Sequence, residues 1–447
     1  MRKFMARLRD ISKYPSAVIG GVIILILVGV ALYAVIAVPY SEAVRLWRGA
    51  EAMWIENPRT ARPVWMDWFT TQKLPRNIIV DTRDDPDAKE IIPLTDEINE
   101  MIVTLDFDYQ YDDFPQELTV FLSASFESEN PYITFLWRTP DGREIKLGEQ
   151  SVKRQDSYYI SQDNRVTRRL GNIVPHRGLF MDPNAEVPTP LKGTYELVIE
   201  AVFFEQGADL DARMIAYGQV HGVAGTDHRR RDISVALLWG TPVALMFGFF
   251  AAVGSTILTM TFAAIGSWYR KWVDGLIQRI TEVVMILPML PILVMIGILY
   301  SRSLWTMLGV IILLGMFSAQ VKIYRAMFIQ VRESPFIEAA RAYGASSPRI
   351  IFRYMVPRII PMLIPQFVIL IPTYVFLEAT LAILGLADPL LPTWGKILYD
   401  AQNNGALYMG QYYWVIMPSF LLIITGLGFS MLGFALDRVF NPRLRRL

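Results

Sequence analysis

The chain of 447 residues contains no cysteine and only three histidines, His176, His221 and His228. Without cysteine there is no disulfide framework, no Cys-x-x-Cys metal site and no thiol nucleophile. The histidines form no His-x-x-x-His or His-Glu-x-x-His pair, so no zinc site is expected. No Gly-x-x-x-x-Gly-Lys-Ser/Thr loop occurs, which excludes ATP hydrolysis by the P-loop route. No Gly-x-Ser-x-Gly elbow marks a hydrolase nucleophile. The formal net charge is +1, from 43 Lys+Arg and 42 Asp+Glu, which gives no reason to expect a nucleic-acid partner.

What is present is apolar, and unevenly spread: hydrophobic residues make up 53% of the chain. They concentrate in one run from about Ala17 to Val38 and in several after residue 233. The first run is long enough to span a bilayer and too long for a typical signal-peptide core, so it reads as a retained anchor. Arg2, Lys3, Arg7, Arg9 and Lys13 precede it and place the N-terminus in the cytoplasm. Further candidate spans lie near 235–266, 276–300, 305–325, 359–386 and 413–436. Six spans would return the C-terminus, with Arg443, Arg445 and Arg446, to the cytoplasm. Arg270 and Lys271 lie between the second and third spans. Arg325, Arg332, Arg341, Arg349, Arg353 and Arg358 lie between the fourth and fifth, in agreement with the positive-inside rule. Pro288, Pro291, Pro361, Pro365 and Pro372 fall inside spans and suggest a bundle bent around a path.

Residues 40–232 have another texture and are expected on the opposite side of the membrane. MIVTLDFDYQY, LTVFLSASF, YITFLW, TYELVIEAVFF and RMIAYGQV are short, rich in β-branched and aromatic residues, and bounded by Pro, Gly, Asp and Asn. They predict an antiparallel β-sandwich-like domain over about residues 95–220. Such a domain is a candidate docking or bracing module. Trp47, Trp54, Trp65 and Trp68 precede it, either as an interfacial aromatic belt or buried against the β-domain. Asp81 to Pro93 reads as a linker. The chain thus divides into residues 1–40 (cytoplasmic end and first span), 41–232 (the extracytoplasmic insert) and 233–447 (five spans with a cytoplasmic loop at about 326–358).

That loop holds the most informative stretch, ESPFIEAARAYGASSPRIIFRYMVPRIIP, from Glu333. Ser334–Pro335 and Ser347–Pro348 each supply an N-cap followed by an N1 proline. Gly344 stands where the first helix should stop, at a position that favours positive φ. Phe336, Ala339, Ala340 and Tyr343 share one helix face, beside Glu338 and Arg341. Alanines permit close approach by another surface, while the aromatics and charges fix register.

Here the chain resembles the permease subunits of ABC importers, whose shared loop signature runs Glu-Ala-Ala, three residues, Gly, nine residues, then Ile-x-Leu-Pro. Glu338, Ala339, Ala340, Gly344 and Pro357 match in spacing, while Tyr354 and Val356 replace Ile and Leu. The resemblance implies that this short helix docks in a groove of an ATPase subunit, with Arg341 beside the contact. His221 to Asp232, HGVAGTDHRRRD, is similar to the Gly-Thr-Asp-x-x-Gly-Arg-Asp signature of the dipeptide/oligopeptide type, C-type subunit. Gly225, Thr226, Asp227, Arg231 and Asp232 fit, and Arg230 stands where the family has glycine. Asp227 and Asp232 beside the arginines can staple a loop to a helix start, a structural cap without solute contact. Glu378, Ala379, Leu384 and Gly385 match a further motif in the fifth span. A carboxylate there either lines the transport path or locks helices together. Pro392, Thr393, Trp394 and Gly395 resemble the family's Pro-x-Ser/Thr-Trp-Gly segment, and Asp437, Asn441, Pro442, Arg443 and Leu444 its C-terminal end.

The resemblance implies an α-helical membrane protein of the type I importer permease fold, multi-pass in the inner or plasma membrane. Its implied partners are a second homologous permease, two ATPase subunits, an extracytoplasmic solute-binding protein and the lipid bilayer. ATP and magnesium would sit on the ATPases, with no cofactor in this chain, which is not an enzyme. The large insert departs from the family pattern, and the rival reading is a membrane-anchored sensor or scaffold that works through its β-domain.

Overall fold

The computed structural model describes residues 13–49, 51–93 and 98–440. Arg2, Lys3, Arg7 and Arg9, and Asn441 through Arg446, lie outside the described residues. The chain divides into two compact units, one of residues 1–49 and 235–447, the other of residues 50–234.

The first unit is helical. It opens with α1 (Pro15–Ala37) and α2 (Tyr40–Arg48), and resumes with α3 (Ile233–Tyr269), α4 (Lys271–Ile286) and α5 (Met289–Leu299). Then come α6 (Leu304–Gly315), α7 (Gln320–Arg332), α8 (Pro335–Ala342), α9 (Val356–Leu381), α10 (Trp394–Asn403) and α11 (Tyr413–Phe440). Among the described residues four helical stretches are long and apolar enough to cross a membrane, or up to six if each bent pair counts as one span. Two expected spans are therefore not single rods. The 276–300 candidate breaks into α4 and α5, bent by 78°, and the 305–325 candidate into α6 and α7, bent by 50°. Pro288 accounts for the first break, because it cannot donate an amide to the helix ladder. At the second break the Gly315 and Met316 carbonyls accept the Thr259 hydroxyl of α3, at 3.4 and 3.3 Å. A side chain from a neighbour thus meets the groups that the break frees. Conversely, Pro361, Pro365 and Pro372 all lie inside the continuous α9.

Helix contact in this unit relies on small residues. A Cβ on Gly20 of α1 would lie 2.6 Å from the Gly428 carbonyl oxygen of α11. The two backbones therefore touch directly, as small residues allow in membranes.

The second unit is an antiparallel sandwich. One sheet runs β1–β9–β4–β7, from β1 (Ile78–Asp81), β9 (Asp209–Tyr217), β4 (Glu117–Ser125) and β7 (Gln155–Tyr158). The other runs β2–β3–β8–β5–β6, from β2 (Lys89–Pro93), β3 (Asn99–Tyr109), β8 (Gly193–Phe203), β5 (Tyr132–Arg138) and β6 (Glu144–Ser151). Val103, Leu105 and Phe107 of β3 alternate inward and meet Leu118, Val120 and Leu122 of β4 in one core. This is the period-2 pattern of a sheet with one buried face. Phe107, Tyr109, Trp137, Phe180 and Tyr195 form an aromatic cluster, with Phe180 and Tyr195 centroids 4.7 Å apart.

Asp81–Pro93, expected as a linker, instead carries the end of β1 and all of β2. Lys89 reaches Asp209 at 2.9 Å and Asp211 at 2.7 Å, tying down this edge. Pro93 ends the edge strand, where its missing amide is tolerated. The tryptophans do not share one environment either. Trp47, on α2, is buried, Trp54 and Trp65 are half-buried, and Trp68 is exposed.

Candidate functional site

The Glu-Ala-Ala segment forms α8, and one side chain seats it. Ile337 is fully buried among Ala263, Ile277, Tyr324, Phe328 and Ile351, with Ala340 packed alongside. The opposite surface is open: Glu338, Ala339, Arg341 and Tyr343 are exposed, and so is Pro357 beyond the turn. Gly344 ends the helix with φ +75°. Its amide donates to the Arg341 carbonyl at 2.9 Å and the Ala345 amide to the Ala340 carbonyl at 3.0 Å. These two bonds make a Schellman cap, which needs a left-handed residue at Gly344. A Cβ there would meet no atom, so only backbone conformation demands the glycine.

The base of α8 is fixed by charge. Glu333 accepts from Arg332 and Arg270, both at 2.5 Å, and the buried Arg332 also donates to the Ser267 carbonyl at 2.6 Å. Arg341 lies over the Trp268 ring, 4.3 Å from its centroid. Ser334 occupies the N-cap position without a side-chain capping bond. Its hydroxyl donates back to the Gln330 carbonyl at 3.4 Å. Sequence reasoning missed Ile337, although a lone large aliphatic on an alanine-rich helix is a signal for a seat.

The Gly-Thr-Asp segment belongs wholly to the second unit. Gly225 takes φ +75°, and its carbonyl accepts from the Ile233 amide, the first residue of α3, at 3.1 Å. The fully buried Thr226 hydroxyl donates to the Pro58 carbonyl at 2.6 Å and accepts from the Ala61 amide at 2.9 Å. Asp227 accepts from the Arg229 and Arg231 amides at 2.8 and 2.9 Å and from the Arg231 side chain at 2.6 Å. Asp232 accepts from the Ser234 amide at 2.8 Å, as a carboxylate at a helix start should.

Arg230 repays attention because glycine was expected there. It does adopt left-handed backbone, φ +65°, which glycine tolerates and arginine resists. Three contacts hold it there. Its guanidinium donates to the Asn57 carbonyl at 2.7 Å, pairs with Glu117 at 2.5 Å and stacks 4.1 Å from the Tyr217 centroid. Glu117 begins β4 and Tyr217 ends β9, so the unexpected arginine binds the motif to the sandwich.

Glu378 is buried on α9, one residue before Ala379. The Thr393 oxygen meanwhile accepts from the Lys396 amide at 3.2 Å, capping α10. A Cβ on Gly395 would stand 2.8 Å from the Ala379 Cα, so α10 starts hard against α9. Trp394 donates to the Leu237 carbonyl of α3 at 2.9 Å. Glu378, Thr393, Trp394 and Gly395 therefore converge on one joint between α3, α9 and α10. A separate hollow of about 710 Å³ is lined by Met289, Ser318, Gln320, Thr373, Tyr374 and Thr380 among others, and Glu378 is not one of its lining residues. No group of three or more His, Asp or Glu side chains suited to a metal occurs among the described residues.

Comparison with known proteins agrees with this architecture. The family model of the binding-protein-dependent transport system inner membrane component matches residues 244–446. The dipeptide transport system permease protein DppC of Alkalihalophilus pseudofirmus is 31% identical over 223 residues, covering 49% of this chain and 72% of that protein. The glutathione transport system permease protein GsiD of Pectobacterium atrosepticum is 28% identical over 229 residues, covering 49% and 72%. The oligopeptide transport system permease protein OppC of Bacillus subtilis is 26% identical over 224 residues, covering 50% and 72%. Permease subunits of this kind are not enzymes themselves, since ATP is hydrolysed by partner ATPases. The helical core, the Glu-Ala-Ala segment and these matches lead to one conclusion: the chain belongs to the family of binding-protein-dependent transport system inner membrane components, among the ABC permeases of the dipeptide and oligopeptide type.

Proposed function

We propose that this chain forms half of the translocation path of an ATP-driven importer for peptides or similar solutes. It pairs with a second, homologous permease and with two ATPase subunits, and an extracytoplasmic solute-binding protein feeds it. The termini and the loop that carries α8 are read as cytoplasmic, and residues 41–232 as extracytoplasmic. The observation that carries this reading is the construction of α8. Ile337 roots the helix in a packed core while Glu338, Ala339 and Tyr343 stay exposed. A helix held in this way can take up a force on its open face and pass it to α7 and α9. The uncharged lining of the 710 Å³ hollow suits a solute met through neutral polar groups. The dipeptide, oligopeptide and glutathione permeases among its relatives support a peptide-like solute. The sensor reading is not favoured, because a sensor has no use for a seated, capped helix of this design.

The test is solute-stimulated ATP hydrolysis in the reconstituted assembly. Glu338→Arg reverses a charge on the exposed face, and Gly344→Val forces a β-branched residue into φ +75°, costing roughly 1–2 kcal/mol locally. Both should lower stimulation at least several-fold while the subunit remains inserted and folded. Full stimulation in both variants would overturn the coupling role.

A further inference from the structure

The four-stranded sheet of the sandwich has an outer face that is only partly covered. Along β4, Leu118, Val120 and Leu122 enter the core, so Phe121 and Ser123 point the other way. The same alternation on β9 buries Leu210, Ala212 and Met214 and turns Asp211 and Arg213 outward. Pairing register then sets the outward side chains in two rows. Asp81 of β1 lies beside Arg213, Arg213 beside Phe121, and Phe121 beside Ser157 of β7. In the next row Asp211 lies beside Ser123, and Ser123 beside Gln155. On the other side of Phe121 the face is closed: Thr119 and Ile215 are both buried. Residues 55 and 56 cross there, with the Ile55 carbonyl accepting from the Tyr217 hydroxyl at 2.6 Å. The cover stops at Ile55, and beside it the two rows and Arg83 line a hollow of about 400 Å³. That size is within the usual range of small-molecule sites.

What the hollow asks of a ligand follows from which of its groups are already answered. Arg213 pairs with Asp81 and with Glu56, each at 2.6 Å, and Arg83 pairs with Asp211 at 3.2 Å. Asp156, on the rim, accepts from the Ser157 amide at 2.8 Å. No charge is left waiting for an ionic ligand. The neutral groups differ: among the described residues the side chains of Ser123, Gln155 and Ser157 have no hydrogen-bond partner. All three surround the half-buried Phe121, and side chains directly opposite on paired strands have Cβ atoms about 4.5–5.5 Å apart. The hollow therefore offers one aromatic ring ringed by groups that both donate and accept. Its complement is an uncharged molecule with an apolar face and hydroxyls around the edge, which is the chemistry of a sugar ring.

We propose that this hollow is a binding site for a neutral saccharide, one ring of which lies on Phe121 with its hydroxyls on Ser123, Gln155 and Ser157. The matched pairs Arg213–Asp81 and Arg83–Asp211 add donors and acceptors for further hydroxyls without changing the charge of the site. A peptide, with a charged group at each end, would have to break one of those pairs. The site thus gives the second unit a binding activity of its own, and it does not depend on the transport role argued above.

The test uses the full chain, assembled with its partner subunits in nanodiscs so that no sugar detergent is present. Maltotriose, cellotriose and tri-N-acetylchitotriose are each added at millimolar concentration, and contact is read by saturation-transfer NMR on the sugar C–H protons. The expected result is transfer to at least one of the three, falling at least several-fold in Phe121→Ala and in Gln155→Ala. Gln155 is exposed on an edge strand, so its variant keeps the test open if removal of the larger Phe121 loosens the sheet. No transfer to any of the three sugars would overturn the site, and so would transfer that is unchanged in either variant. Trialanine, a zwitterion, is the charged comparison. Transfer to trialanine that exceeds that to every sugar and is lost in Gln155→Ala would overturn the saccharide assignment in favour of a peptide site.

Discussion

The two units are built from similar apolar residues and distribute them in opposite ways. In the sandwich, Trp137, Phe135, Tyr195 and Phe203 are turned inward, and the outer faces carry ion pairs such as Arg213–Asp81 at 2.6 Å. In the helical unit, Leu25 is 71% exposed and Ile36 80%, while Ala17, Gly20 and Ala34 of the same helix are buried. The solvent explains the inversion. In water the large apolar side chains drive folding by leaving the surface. In lipid they gain nothing by leaving, so helices join through small residues and backbone contact. An exposed leucine therefore reads as a fault in one unit and as normal in the other.

That contrast predicts where each unit breaks. Trp137→Ala should have the largest effect, about 3–5 kcal/mol, because it empties the centre of the aromatic cluster. Limited proteolysis should show the sandwich cut readily while the helical unit stays membrane-inserted. Gly428→Leu should come next. A side chain there collides with Ile23, only 2.7 Å from a Cβ, and overpacking of this kind costs about 1–3 kcal/mol. Its signature is a lower melting temperature in detergent with an intact sandwich. If instead Trp137→Ala melts the helices, or Gly428→Leu the sandwich, the units are not the separate folding bodies described here.

Arg230 and Glu378 sharpen the comparison, being buried polar groups placed one in each unit. Arg230→Ala keeps a Cβ at φ +65° and loses all three guanidinium contacts, so it should destabilise the sandwich by about 1–3 kcal/mol. Arg230→Gly removes the backbone strain as well and should cost measurably less. Thermal denaturation of both variants checks the order, and a cycle with Glu117→Gln should show coupling between the pair. Equal losses would mean that the left-handed backbone carries no strain. In the helical unit Glu378→Leu should lower the melting temperature, because it replaces a buried side chain where α10 packs hard against α9. Glu378→Gln keeps the size and polarity of the side chain and should have the smallest effect of all. Transport altered by Glu378→Gln with no change in melting would return Glu378 to the solute path.

Much of this was legible because period and composition report local environment. The alternation in MIVTLDFDY and the apolar run after Pro15 each match their element within a few residues. β2 was hidden, since Lys-Glu-Ile-Ile-Pro carries no clear alternation and forms only by pairing with β3. Likewise β6 and β7 are polar edge strands whose partners, not their own residues, make them strands. The breaks in the 276–300 and 305–325 spans divided in the same way. Pro288 announced the first, whereas no proline marks the second, whose freed carbonyls are met by Thr259, some fifty residues away in α3. At the functional segments the ends of α8 could be read from Ser334-Pro335 and Gly344, because caps are local chemistry. Its seat on Ile337 could not.

The sequence by itself thus determined the chemistry this chain lacks, the residues that prefer lipid, the alternating strands and the glycine that ends α8. Each of these depends on side-chain type or on the few residues around it. Only the tertiary structure decided that Arg230 grips Glu117 and Tyr217, that α10 packs hard against α9 beside the buried Glu378, and that Trp68 faces outward while Trp47 does not. Those outcomes depend on residues distant in sequence arriving at one place, and no local pattern encodes which distant partner will be there.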